Sequence, residues 1–156
     1  MHEYSVSHHD RKVAYYILAL LSSFAGIALG FVVESVRSQW GVVIAAPSGL
    51  MIFGLLFLLF DNFVWKWPVL YKLGLIKIPN LSGDWIAGIS SSVTKHRVPA
   101  QVKIHQTYSR IRIHLDTDKS DSLSQMAAIE MASPTLFNLR YEYSAEFRRN
   151  EAAEIL

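Results

Sequence analysis

Three sets of polar side chains interrupt the apolar face of an alternating stretch in the second half of the sequence. Gln106 and Tyr108 share parity with Ile104, and Tyr141 and Tyr143 share it with Leu139. Ser120, Ser122 and Ser124 repeat with period two. Polar groups on a buried face need hydrogen-bonding partners, and a ligand is one way to supply them. Phenol rings stack on bases, while amides and hydroxyls read base edges. The same residues also fit a packed core whose tyrosine hydroxyls reach the rim.

Other chemistries lack their residues. With no cysteine, neither disulfides nor thiolate metal sites are available, and an oxidising compartment has no support. His105 and His114 fall on the polar side of neighbouring alternating segments with no carboxylate pair to complete a metal site. His2, His8 and His9 belong to a short N-terminal stretch read as a flexible tail. No serine elbow, convincing triad, P-loop or Rossmann fingerprint is present, so no enzyme activity is expected. A formal net charge of +2 on 156 residues is too small to argue for nucleic-acid binding.

The elements that would carry these residues follow from the apolar period. Leu81-Ser82-Gly83-Asp84-Trp85 is a turn that opens a strand. Residues 100–108 and 110–116 alternate strictly, and Thr107-Tyr108-Ser109-Arg110 forms the turn between them. Residues 122–131 and 135–147 are further strands, with turns over 116–121 and at Ser133-Pro134. About five strands with one apolar face predict an antiparallel meander, a form that often closes into a barrel.

Ahead of the strands lie two charge-free stretches. Residues 13–33 reach roughly 31 Å as a helix and residues 42–60 roughly 28 Å, both close to a bilayer's hydrocarbon thickness. Backbone in lipid must satisfy itself internally, so both are expected to be transmembrane helices, joined by a turn over 34–41. Arg11 and Lys12 before the pair, and Lys66, Lys72 and Lys77 after it, outweigh Arg37 in the turn and place both termini in the cytoplasm. A cleaved signal peptide ending near Ala28-Leu29-Gly30 fits less well, because the apolar run exceeds a usual signal core. Ser22, Gly26 and Gly30 offer a close-packing stripe, either to the second helix or to another copy. Pro47, Ser48 and Gly49 predict a kink in the second helix. The expected organisation is an N-terminal tail (1–12), a two-helix transmembrane hairpin (13–64), a juxtamembrane linker (65–80) and a cytoplasmic β-domain (81–156).

Taken in order, two N-terminal apolar helices, the Ile78-Pro-Asn-Leu-Ser-Gly-Asp-Trp85 segment, Val102-Lys-Ile-His-Gln-Thr-Tyr-Ser-Arg-Ile111, the spaced serines followed by Ala127-Ala128-Ile129, and Leu139-Arg-Tyr-Glu-Tyr143 resemble one family. It comprises the two-transmembrane, β-strand-rich CD-NTase-associated effectors of bacterial CBASS antiphage defence. Gly83-x-Trp85 also resembles the opening of lipocalin barrels. The resemblance implies a non-enzymatic, lipocalin-like β-barrel that binds a cyclic dinucleotide made by a CD-NTase. It also implies homo-oligomerisation of the membrane helices, disruption of the inner membrane and abortive infection. Carried over by motif position, the ligand-binding residues are Gln106, Thr107, Tyr108, Ser109, Ser122, Ser124 and Tyr141, with Arg110 beside the phosphates. The alternative is a membrane-anchored lipocalin-like carrier of lipid or another small molecule. Family barrels continue for several strands beyond residue 156, so the barrel is expected to be incomplete and the chain a truncated version of a longer parent.

Overall fold

A computed structural model describes residues 1–7, 9–41, 45–90, 97–133 and 136–147. The chain forms two compact units, Met1–His8 with Ile78–Leu156, and His9–Lys77.

In the second unit, helix α1 covers Arg11–Trp40, 30 residues, or about 45 Å. Asp10 caps it, accepting the Lys12 N–H at 2.9 Å. The turn expected over 34–41 is instead mostly helix. Nothing in residues 34–40 breaks the backbone ladder, and the Ser38 hydroxyl bonds back to the Ser35 carbonyl at 2.9 Å. The helix ends where Gly41 adopts φ 62°, its N–H donating to the Arg37 carbonyl at 3.0 Å.

The expected second span is cut short. Residues 42–44 lie outside the described residues, and helix α2 covers only Gly49–Asn62, 14 residues, or about 21 Å. Pro47 is the physical cause, since it donates no N–H and biases its predecessor away from helix. Ser48 then caps the new start, accepting the Met51 N–H at 3.2 Å. Among the described residues, α1 alone is long and apolar enough to cross a membrane. The two helices pack through Ala14, Leu18 and Ser22 on one side and Ile52 and Phe60 on the other. The Tyr15 and Phe57 rings lie 5.9 Å apart. A 3-10 turn (Val64–Lys66) and a short helix α3 (Pro68–Lys72) follow.

In the first unit the five expected strands form: β2 (Gly83–Ser90), β3 (Arg97–Gln106), β4 (Arg110–Asp116), β5 (Ser120–Met131) and β6 (Phe137–Phe147). The turn expected at Ser133-Pro134 falls partly outside the described residues, since 134 and 135 do. The sixth strand is a correction. Residues 2–6, expected to belong to a tail, form β1 (His2–Val6) inside the sheet. The order is β2-β3-β4-β1-β5-β6, with β4 also touching β5 directly.

The β4–β5 hairpin explains this order. It is zipped beside its turn, from Asp116 opposite Asp121 to His114 opposite Leu123, and then the two strands diverge. Strand β1 enters the fork, antiparallel to β4 (His2 opposite Ile111) and parallel to β5 (Tyr4 opposite Ala127, Val6 opposite Ile129). The expected all-antiparallel meander is therefore a mixed sheet, curled into a half-barrel.

Candidate ligand-binding face

Paired residues in a ladder share a face, so the register sorts every side chain. One face carries Trp85, Val102, Ile104 and Gln106, then Ile111, Ile113 and Leu115, then His2 and Tyr4, then Ser122 and Ser124. A bulge between Ser124 and Met126 shifts parity by one, so Ala127 and Ile129 join that face opposite Tyr141 and Leu139. Ile104, Ile111, Ile113 and Ile129 are buried on it, which makes this the inner face. Gln106, Ser122, Ser124 and Tyr141, read from strand parity, all lie there.

The other predicted residues sit elsewhere. Thr107, Tyr108 and Ser109 form the β3–β4 turn. The Thr107 N–H donates to the Arg110 carbonyl at 2.8 Å, and its hydroxyl oxygen accepts the Arg110 N–H at 3.0 Å. Thr117 and Ser120 build the β4–β5 turn in the same way, at 2.9 Å for both bonds. Tyr108 is fully buried. Arg110 pairs with Glu3 on the opposite, outward face, away from Ser122 and Tyr141.

Gln106 serves the fold. Its Oε1 accepts the Leu81 N–H at 2.7 Å, and its Nε2 donates to the Tyr4 hydroxyl at 3.0 Å and the Pro79 carbonyl at 3.1 Å. The Tyr4 hydroxyl in turn donates to the carbonyls of Thr107 at 3.1 Å and Tyr108 at 3.2 Å. This network ties the β1 strand, the approach to β2 and the β3–β4 turn together.

At the fork, Ser124 replaces a missing ladder partner. Its hydroxyl oxygen accepts the Ile113 N–H at 2.8 Å and lies 2.7 Å from His2 Nε2. The His2 Nδ1 lies 2.9 Å from the Glu3 carbonyl, which can only accept, so in the neutral ring Nδ1 donates there and Nε2 accepts from Ser124. Ser122 is 2% exposed, so the open part of the inner face is bounded by Ser124, Tyr141, Tyr143 and Trp85. Tyr143 and Trp85 are about half exposed, at 53% and 50%. The Tyr141 and Tyr143 rings lie 5.9 Å apart and tilted. Burial, and then its neighbour Tyr143, push the Tyr141 phenol above its ordinary value. It therefore stays a hydrogen-bond donor at neutral pH. These two rings and the indole are suited to stacking a planar ligand. Sequence reasoning did not place Trp85 or His2 at this face; the period-two pattern beginning at His2 was the available signal. Among the described residues no cluster of metal-ligating side chains is found.

The profile of the family described as Cap15, cyclic dinucleotide receptor domain, matches residues 76–155. The chain belongs to this family. The Cap15 match starts just before β2 and takes in β2 to β6, so the inner face, apart from His2 and Tyr4, lies within it. CD-NTase-associated protein 15 from Yersinia aleksiciae is 32% identical over 93 residues, covering 59% of this chain and 44% of that relative. The chain thus aligns with less than half the length of that Cap15-type relative. No solved structure matches the chain.

Proposed function

We propose that the chain is a CBASS effector whose β-unit binds a cyclic dinucleotide on its inner face and whose helices then disrupt the inner membrane. The observation that carries this reading is the match of the β2–β6 region to a cyclic dinucleotide receptor family. Ser124 and Tyr141 contact the ligand, with Tyr143 beside them and Trp85 across the sheet on β2 as stacking surfaces. Ser122 lies beneath. The 106–110 segment acts indirectly, by holding the sheet in shape. The half-barrel serves as the wall of a lipocalin-like ligand site, and α1 with α2 anchors the chain as a hairpin with cytoplasmic termini. Oligomerisation follows ligand binding, because a ligand shifts an equilibrium only by its preference for one state. No catalysis is involved.

A lipid carrier is the second reading. It is favoured by an apolar cavity of about 260 Å³ in the helical unit, lined by Ala14, Leu18, Leu56, Phe60, Leu70 and Ile76 among others. Titrating the full chain in detergent with a panel of cyclic dinucleotides separates the two. One dinucleotide is expected to bind saturably, and Tyr141→Ala to weaken it about tenfold or more, the scale of one lost stacking contact. Retained phospholipid together with no response to any cyclic dinucleotide would establish the carrier instead.

A further inference from the structure

The apolar cavity of about 260 Å³ in the helical unit has a basic mouth. The first turns of α1 line it with a stripe from Val13 to Leu21, the last turns of α2 add Leu59 and Phe60, and Leu75 and Ile76 close it. Gly74 turns the chain at φ 69°, and the Leu75 and Ile76 N–H groups then both donate to the Leu70 carbonyl, at 3.0 and 3.3 Å. Every lining side chain is aliphatic or phenylalanine. The cavity opens along one side, where Val13, Leu21 and Leu59 are 49%, 52% and 46% exposed.

Residues 9–12 and 61–77, which lead into and out of this lining, hold five Lys and Arg side chains against two carboxylates. Asp10 is engaged as the α1 cap and Asp61 is buried, while Lys12, Lys66, Lys72 and Lys77 are exposed. Arg11 and Lys77 converge from opposite ends of the unit, since both act on His9. Burial first, then the Arg11 charge, lower the pKa of that imidazole, and Lys77 adds to the lowering against an opposing pull from Asp10.

An all-apolar cavity with cations at its mouth selects an amphiphilic anion. A peptide segment would carry backbone N–H and C=O groups into a lining that offers them no partner. A hydrophilic anion would leave the apolar walls uncovered. An acyl chain has no hydrogen bonds to satisfy, and basic pockets beside membrane helices hold anionic headgroups. We propose that the cavity and its mouth form a site for one anionic phospholipid, with an acyl chain in the cavity and the phosphate at Arg11 and Lys77. The lipid is a resident of the helical unit and not a cargo, so the site stands whether or not the β-unit binds a nucleotide.

The test titrates the full chain in detergent micelles with phosphatidylglycerol or phosphatidylcholine of the same acyl chains, and counts bound lipid by native mass spectrometry. One phosphatidylglycerol per chain is expected, bound about tenfold or more tighter than phosphatidylcholine, the scale of two cations at an anionic headgroup. Arg11→Gln with Lys77→Gln is expected to bring phosphatidylglycerol down to the phosphatidylcholine level. Ala14→Phe fills the cavity and is expected to displace both lipids while the cations remain. A chain that holds no lipid overturns the proposal, as do equal affinities for the two headgroups or a phosphatidylglycerol preference that survives the double glutamine variant. Undiminished binding in Ala14→Phe, shown folded by circular dichroism, would place the lipid elsewhere on the helices and also overturns it. Should Ala14→Phe unfold the chain, the smaller Ala14→Leu decides: weaker binding of both lipids upholds the site, and unchanged binding rejects it. Lys77→Gln alone serves in the same way if the double variant does not fold.

Discussion

At Gln106 one buried amide makes three hydrogen bonds, accepting from Leu81 and donating to Tyr4 and Pro79. Replacing it with leucine keeps most of the volume but leaves a backbone N–H and a backbone carbonyl buried and unpaired. The expected loss is about 3 kcal/mol, since each unsatisfied buried group costs on the order of 1–3 kcal/mol. Tyr4→Phe, which removes one hydroxyl, is expected to cost about 1 kcal/mol alone and much less in the Gln106→Leu background, because the groups share one network. Denaturant titration of the full chain in detergent, followed by tryptophan fluorescence, measures both. Unchanged stability of Gln106→Leu with lost nucleotide binding would show the amide to be a ligand group after all. Strand parity made the face of Gln106 legible in the sequence. The identity of its partner was not, because Tyr4 lies 102 positions away and inter-strand contacts leave no trace in a local pattern. The same holds at Arg110. It lies four positions from Gln106, but the intervening turn sets Gln106 opposite Ile111, so Arg110 falls on the outward face.

Among the elements, the five C-terminal strands were legible because alternation and turn residues agree along each of them. Strand β1 was not. His2-Glu3-Tyr4-Ser5-Val6 does alternate, but five residues before a long helix read as a tail until a sheet with a vacant fork exists to receive them. The α2 boundary failed for a different reason: hydropathy does not register what Pro47 does to backbone hydrogen bonding. The β1 assignment predicts that removing residues 2–6 costs on the order of 4 kcal/mol, from the burial of Tyr4 and the lost ladder bonds. Hydrogen exchange should speed up about tenfold or more at the Ile113 and Ile129 amides, which flank the emptied fork. Exchange that stays at the parent rate at both positions would return residues 2–6 to the status of a tail.

For the whole molecule, the proposed assembly of copies in the membrane can be tested along the helical stripe. Ser22 is buried, and a Cβ on Gly26 would lie 3.7 Å from the Ile52 Cδ1, so this part of the stripe is occupied within the chain's own hairpin. A Cβ on Gly30 would meet nothing within 4 Å. The surface left for a neighbouring helix is therefore at Gly30, and the two glycines should respond differently to leucine. Gly26→Leu places an isobutyl group against Ile52 and should loosen the α1–α2 packing by about 1–3 kcal/mol. Gly30→Leu should leave that packing intact and instead block close approach between copies. The expected result for Gly30→Leu is parent-like binding of cyclic dinucleotide in detergent, with loss of membrane permeabilisation in cells that make the dinucleotide. Permeabilisation equal to that of the parent chain would exclude the Gly30 side as the assembly surface.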